Sequence, residues 1–128
     1  MSLVRLLALA AALAAPPTAA NACSCMPLDR AAILSRSDLV FDGRIVAVAP
    51  RSGTDDAVAV VRVENRIKGR VGRTVRVISD TRPGLCGWPL FPGTVQTFAG
   101  RRGPDGAVRV GMCAMAPLNP LGPEGRAP

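Results

Sequence analysis

The sequence contains no histidine and no tyrosine. Histidine is the commonest general base and a frequent zinc ligand, so its absence removes many hydrolytic and metal-dependent mechanisms. The serines have no imidazole to activate them, and the Asp55-Asp56 pair is expected in a solvated turn. These absences predict that the protein is not an enzyme, has no cofactor of its own and acts by binding.

The chain also has few aromatic residues and almost no lysine. Sixteen basic residues, of which Lys68 is the only lysine, outweigh nine acidic ones and give a net charge of +7. The basic residues are scattered, and the side chains able to stack on bases are Phe41, Trp88, Phe91 and Phe98. Because single-strand binding combines stacking side chains with clustered positive charge, nucleic acid is not an expected partner.

The first 22 residues have the pattern of a secretory signal peptide. Arg5 precedes an apolar run over Leu6–Ala15, and Ala20-Asn21-Ala22 places small residues where signal peptidase requires them. The run is shorter than the roughly 20 residues that span a bilayer, and no later segment is long and apolar enough. We therefore predict cleavage after Ala22 and a secreted or periplasmic protein without a transmembrane segment.

Removing 22 of the 128 residues would leave 106, which is enough for one domain with a modest core. We expect that domain over residues 23–122, a disordered tail over residues 123–128, and a monomer.

The four cysteines favour two disulfides in an oxidising compartment. Three pairings are possible. Cys23 and Cys25 point to the same face of an extended chain, with their Cα atoms about 6.6–6.8 Å apart, at the edge of what a disulfide tolerates. A direct bridge between them is the least favoured, so each is expected to pair with Cys86 or Cys113.

Hydrophobic patterning predicts one short helix followed by five strands. Leu28–Arg36 has helical spacing, and strand-like apolar runs begin at Leu39. A shift of the apolar phase at Val60-Val61 predicts a β-bulge in the second strand. The predicted strands cover Leu39–Val48, Ala57–Ile67, Thr74–Ser79, Thr94–Ala99 and Ala107–Met112, with the last two in a hairpin and little secondary structure from Ala116 onward.

Five short strands with Gly-marked bends fit a small closed barrel better than a flat sheet. The predicted fold is therefore mainly β, a five-stranded OB-like Greek-key barrel with one short N-terminal helix and two disulfides. A sandwich stays open as an alternative. Trp88 is expected to cover one end of the barrel.

Several motifs follow one another in a characteristic order. The mature chain would begin Cys23-Ser24-Cys25, and Ser37–Phe41 leads into "DGRIVAV". A strand ending at Lys68-Gly69 follows, then Leu85-Cys86-Gly87, and finally Cys113 with "AMAPLNPL". The ordered set resembles the N-terminal domain of the tissue inhibitors of metalloproteinases, within the netrin-like superfamily, over nearly all of residues 23–122.

The resemblance implies an OB-like barrel and disulfides Cys23–Cys86 and Cys25–Cys113. It also implies that the α-amine and carbonyl oxygen of Cys23 chelate the catalytic zinc of a target metalloproteinase. Around that residue, the implied target-binding ridge has two segments, one running through Ser24, Cys25, Met26 and Pro27, and the other made of Gly84, Leu85 and Cys86. Ser24 would enter the specificity pocket, and Met26 and Pro27 would extend along the cleft.

Some features depart from the family pattern. We expect neither a third disulfide nor a second, C-terminal subdomain, the loop over residues 50–56 is short, and Ser24 stands where threonine is commoner. Such differences affect the function more than the fold. Two other interpretations stay open, a secreted interaction module without inhibitory activity and a lipoprotein acylated on Cys23, although Ala20-Asn21-Ala22-Cys23 is a poor lipobox.

Overall fold

The computed structural model describes residues 23–125. The predicted signal peptide and its cleavage site lie outside these residues, as do residues 126–128 of the expected tail. The elements in chain order are α1 (Arg30–Arg36), β1 (Leu39–Pro50), β2 (Asp56–Lys68), β3 (Thr74–Asp80), β4 (Val95–Arg102), β5 (Val108–Arg109) and α2 (Met112–Leu118).

The five strands close into a barrel in the order β1-β2-β3-β5-β4. Every neighbouring pair is antiparallel except β3 and β5, which run parallel. This closure leaves no free sheet edge. The predicted fold class, a mainly β protein with a five-stranded OB-like barrel and two disulfides, is confirmed.

The bulge predicted at Val60-Val61 lies on the opposite strand. Ile45 pairs with Val61 and Ala47 pairs with Val60, so the extra residue is Val46 of β1. In β2, Ala59 and Val61 are fully buried and Val60 is exposed. The prediction was wrong because the small Ala59, not a valine, takes the buried position before Val61, so the phase of β2 never shifts there.

The barrel interior is filled by apolar side chains from all five strands. Phe41 and Phe98 are fully buried, and their rings stack with centroids 5.3 Å apart. Trp88, from the segment between β3 and β4, packs in the same cluster and is 5% exposed. Further members are Leu39, Ile45, Ala59, Val61, Val71, Val75, Val77, Val108, Val110 and Met115.

The two helices build a second apolar cluster together with β1 and β4. It joins Ile33 of α1 and Leu118 of α2 to Val40 and Ala99 on the strands. Helix α1 begins at Arg30, two residues after the predicted start, because Asp29 caps it by accepting a hydrogen bond from the backbone N–H of Ala32 at 2.8 Å.

Helix α2 corrects two predictions about the end of the chain. The predicted strand Ala107–Met112 is paired only at Val108–Arg109, and the segment from Ala116, expected to lack structure, continues a helix that starts at Met112. Met115 and Leu118 lie one turn apart and are buried, which explains why this segment is helical. Pro117 stands in the last turn, where the hydrogen bond it cannot donate is lost from the helix end only.

Within the described part of the chain, no helix combines the length and the apolar character needed to cross a membrane.

Candidate functional site

Two disulfides fasten the N-terminal segment to the barrel. Cys23 is bonded to Cys86 and Cys25 to Cys113, with a Cα–Cα distance of 5.2 Å in each pair. This is the pairing that the resemblance implied. The partners are 63 and 88 residues apart in sequence, so both bonds hold the start of the described chain against distant elements.

The two bonds lie side by side. The sulfur atoms of Cys23, Cys25 and Cys113 all lie within 4.8 Å of one another. None of the four cysteines is free, and a sulfur in a disulfide has no thiolate to offer a metal. This group of sulfurs is therefore a covalent anchor and not a metal-binding cluster.

Cys86 sits in an unusual backbone conformation. Its φ of 61° lies in the left-handed region, which non-glycine residues rarely occupy. Two contacts hold Cys86 in place. Its sulfur is bonded to Cys23, and its carbonyl oxygen accepts a hydrogen bond from the backbone N–H of Met112 at 2.8 Å. Such a conformation persists only where surrounding contacts hold it, so Cys86 is a fixed point of the site.

The residues after Cys86 are fitted closely against the end of β3. A Cβ atom on Gly87 would overlap the backbone carbonyl of Asp80, so no other residue fits without a backbone shift. The backbone N–H of Trp88 donates to the buried Ser79 hydroxyl at 2.7 Å. The Ser79 hydroxyl therefore has a structural role, in which it holds the backbone of the segment that follows Cys86.

The residues before Cys86 form a tight turn. The backbone N–H of Leu85 donates to the carbonyl oxygen of Arg82, and Gly84 has a φ of 77°. Proline followed by a glycine with positive φ at the centre of a turn is the signature of type II. The turn presents Gly84 and Leu85 to solvent.

An ion pair fixes the base of this turn. The guanidinium of Arg82 donates to both carboxylate oxygens of Asp80, at 3.1 and 2.6 Å, and the Arg82 backbone N–H also donates to Asp80. These side-chain and backbone hydrogen bonds hold the pKa of the Asp80 carboxyl at about 2. The sequence reasoning did not single out this pair, although Asp80 and Arg82 are only two residues apart.

The acidic pair Asp55-Asp56 is not simply solvated. Asp56 opens β2, and its carboxylate accepts two hydrogen bonds from Arg109 at 3.0 and 2.8 Å, which lower its pKa. The Asp55 carbonyl accepts hydrogen bonds from Thr81, from the backbone N–H at 2.8 Å and from the hydroxyl at 2.6 Å. The short loop between β1 and β2 therefore supports the segment that leads to the turn.

The predicted ridge residues fall into two exposed segments joined by Cys23–Cys86. Ser24, Cys25, Met26 and Pro27 are exposed, as are Gly84 and Leu85, while Cys23 and Cys86 are half-buried. Met26 is 75% exposed and Leu85 46% exposed, although both are large and apolar. Both side chains therefore offer apolar surface to solvent on the two segments that Cys23–Cys86 joins.

No protein-family model matches the chain, and no curated protein matches it. The resemblance to metalloproteinase inhibitors therefore depends on the ordered motifs of the sequence alone.

Proposed function

We propose that the protein is an exported inhibitor of zinc metalloproteinases, similar to the tissue inhibitors of metalloproteinases, and that Cys23 is its first mature residue. One observation carries the proposal: the backbone of Cys23 is held by its own disulfide to Cys86 and, two residues later, by Cys25–Cys113. The residue between them, Ser24, stays exposed.

The inhibitory chemistry would belong to the backbone of Cys23. A catalytic zinc keeps three protein ligands and one position open for water or substrate. The α-amine and the carbonyl oxygen of one residue can close a five-membered ring on such a metal and displace the water. A free α-amine has a pKa of about 7.7–8.0, so its neutral, metal-binding form is available near neutral pH. The zinc is the target's, and the inhibitor needs no metal of its own.

Rigidity is what makes this chelation effective. A flexible N-terminus would lose conformational entropy on binding, and that loss would offset much of the gain from the metal bonds. Here the N-terminal segment is already ordered in the free protein, so little further entropy would be lost on binding. Disulfides hold Cys23 and Cys25, and the backbone of Cys86 is fixed by the hydrogen bond from the Met112 N–H. Ser24 would then enter the specificity pocket of the protease.

The exposed apolar residues would supply the rest of the interface. Met26 and Pro27 would lie along the cleft on one side of the chelating residue, and Leu85 with Gly84 on the other. Burying apolar surface contributes about 25 cal/mol for each Å² removed from water. Of these residues, Met26 and Leu85 have large apolar side chains, and we expect them to contribute most to the binding free energy outside the zinc site.

The test is to extend the mature N-terminus by one alanine. The extended and unextended proteins would be assayed against a panel of zinc metalloproteinases. We expect inhibition by the chain that begins at Cys23 and its loss in the extended chain, because the added residue converts the α-amine to an amide. The thermal midpoints of the two proteins should agree, since the disulfides are unchanged. Equal inhibition by both would contradict chelation.

Intact mass of the exported protein separates the remaining interpretations. A chain starting at Cys23 and four hydrogens lighter than its reduced form would have the free amine that the proposal requires. A mass increased by a glyceride and acyl chains would identify a lipoprotein, whose modified Cys23 could neither chelate zinc nor pair with Cys86. A correctly processed protein that inhibits no protease in the panel would be an interaction module.

A further inference from the structure

The two disulfides that anchor the N-terminal segment lie within reach of each other. The sulfur atoms of Cys23, Cys25 and Cys113 are all within 4.8 Å of one another, although Cys23 is bonded to Cys86 and to neither of the other two. Thiol–disulfide exchange proceeds by attack of a thiolate on a disulfide sulfur. The two bonds can therefore react with each other once a thiol has opened one of them.

The four cysteines differ in their access to solvent. Cys25 is exposed, whereas Cys23, Cys86 and Cys113 are half-buried. The rate of exchange depends on access to the attacked sulfur, so a small thiol in solvent reaches the Cys25–Cys113 bond first, at Cys25. This attack forms a mixed disulfide on Cys25 and releases Cys113 as a thiolate.

We infer that the released Cys113 thiolate attacks Cys23, so that the break in the covalent anchor passes from Cys25–Cys113 to Cys23–Cys86. The attack forms a Cys23–Cys113 bond and releases Cys86 as a thiolate, which takes up the proton that the solvent thiol lost. A second solvent thiol then removes the first from Cys25. In total, two small thiols are oxidised to one disulfide, and one protein disulfide is reduced to the thiols of Cys25 and Cys86.

The fold keeps the reacting sulfurs together during this exchange. Cys113 lies in the first turn of α2, and the backbone N–H of Met112, which begins that helix, donates to the Cys86 carbonyl oxygen at 2.8 Å. Groups held side by side react with each other at effective concentrations far above that of a dissolved reagent. Attack by Cys113 on Cys23 therefore competes well with attack by a second solvent thiol.

The exchange leaves Cys23 attached to the body of the protein. Its new partner Cys113 ties it to α2, while Cys25 and Cys86 become free thiols. Under the proposed function, on which this one consequence rests, the chelating residue would stay tethered, and the turn of Gly84 and Leu85 would lose its bond to it. The exchange itself requires no protease and is tested without one.

The first experiment traps the product in the natural chain. The protein with both disulfides is treated with a limited amount of reduced glutathione, and free thiols are then alkylated with N-ethylmaleimide. Trypsin places the cysteines of the mature chain in three peptides, residues 23–30, 77–101 and 110–126. The expected species joins residues 23–30 to 110–126 and carries its alkyl groups on Cys25 and Cys86. Fragmentation at Ser24 shows which cysteine of the first peptide is alkylated.

The position of the alkyl groups decides the outcome. If the species with one remaining disulfide contain only Cys23–Cys86 or Cys25–Cys113, the inference is overturned. The same treatment in guanidinium chloride is the control, because an unfolded chain should form all pairings, including Cys23–Cys25 and Cys86–Cys113. If the protein without denaturant gives that same mixture, the exchange runs through unfolding, and the inference is again overturned.

Two matched variants test the exchange without a reductant. Cys25→Ser leaves Cys113 as a free thiol beside Cys23, and Cys113→Ser leaves Cys25 there instead. We expect Cys23–Cys113 together with Cys23–Cys86 in the first variant. The second should keep Cys23–Cys86 alone, because a bridge between Cys23 and Cys25 is at the edge of what disulfide geometry tolerates. Detection of Cys23–Cys86 alone in both variants, mapped by the same peptides, would contradict the inference.

Discussion

The backbone N–H of Met112 donates a hydrogen bond of 2.8 Å to the carbonyl oxygen of Cys86. Met112 begins helix α2, which also carries Cys113. The two cysteines that anchor the N-terminal segment therefore lie on backbone segments that are bonded to each other. Cys23 and Cys25 are consequently held by one connected unit and not by two independent loops.

Replacing Cys25 and Cys113 together by serine tests that connection. The double variant loses the bond between residues 88 apart, and we expect its unfolding free energy to fall by about 2–4 kcal/mol. The barrel and the Cys23–Cys86 bond should remain, because Cys86 keeps its contact with Met112. Urea unfolding gives the free energy, and mass before and after alkylation gives the bond. Loss of the Cys23–Cys86 bond in the variant would contradict this expectation.

Gly87→Ala should be strongly destabilising. An added Cβ would overlap the carbonyl of Asp80, which is backbone and cannot swing aside. We expect a loss of about 1–3 kcal/mol, the usual effect of overpacking. The matched control is Gly72→Ala, whose Cβ would meet only the Thr74 carbonyl at 3.7 Å, and it should stay within about 0.5 kcal/mol of the natural chain. Chemical denaturation measures both, and equal effects would contradict the steric argument.

The strands were predictable because their information is local. Alternating residues such as Val75 and Val77 mark a half-buried strand wherever it lies in the chain. The turn over Gly103–Gly106 similarly joins β4 to β5, and Arg101 pairs with Arg109 across it. The end of β5 could not be predicted in this way. The apolar pattern continues to Met112, but only Val108 and Arg109 have partners in the sheet.

Helix α2 was missed although a signal for it exists. Met112, Met115 and Leu118 recur every three residues, but Pro117 and the nearby prolines favour an irregular tail. Tertiary packing decided the outcome, because Met115 fills the barrel core and Leu118 packs on Ile33 and Val40. The predicted strand Ala107–Met112 included the first residue of this helix, so the helical spacing that begins at Met112 was not recognised.

The cysteines that anchor the candidate site were predictable, and the contacts around them were not. The order of motifs indicated Cys23, Cys25, Cys86 and Cys113, while the residues alone left three pairings open. The hydrogen bond by which the Ser79 hydroxyl holds the Trp88 backbone joins residues nine apart in sequence. No local pattern of the sequence encodes such contacts.

Asp80→Asn should change how stability depends on pH. The carboxyl has a pKa of about 2 in the folded protein against 3.8 for the unfolded reference, because Arg82 donates hydrogen bonds to the ionised form. A lowered pKa stabilises the folded state above about pH 4, and this stabilisation is lost as the pH falls towards 2. The natural chain should therefore have the higher thermal midpoint at pH 7, with the difference narrowing below pH 4. For Arg82→Gln, the difference in thermal midpoint from the natural chain should also become smaller below pH 4. If either difference stays constant down to pH 2, the ion pair between Asp80 and Arg82 is not the cause of the lower stability.

Ser79→Ala should destabilise the protein and loosen the backbone at Trp88 at the same time. The hydroxyl is 1% exposed and accepts the Trp88 backbone N–H, so its removal leaves a buried donor unpaired at a cost of about 1–3 kcal/mol. Ser52→Ala is the matched control, because Ser52 is exposed in the loop after β1 and should change stability by less than about 0.5 kcal/mol. Denaturation followed by Trp88 fluorescence measures the stability of both variants. Amide hydrogen exchange at Trp88 should accelerate in Ser79→Ala beyond the change that the lower global stability causes, since the lost bond is local. Exchange that tracks global stability alone would show that the segment is held by Gly87 and Cys86 without the Ser79 hydroxyl.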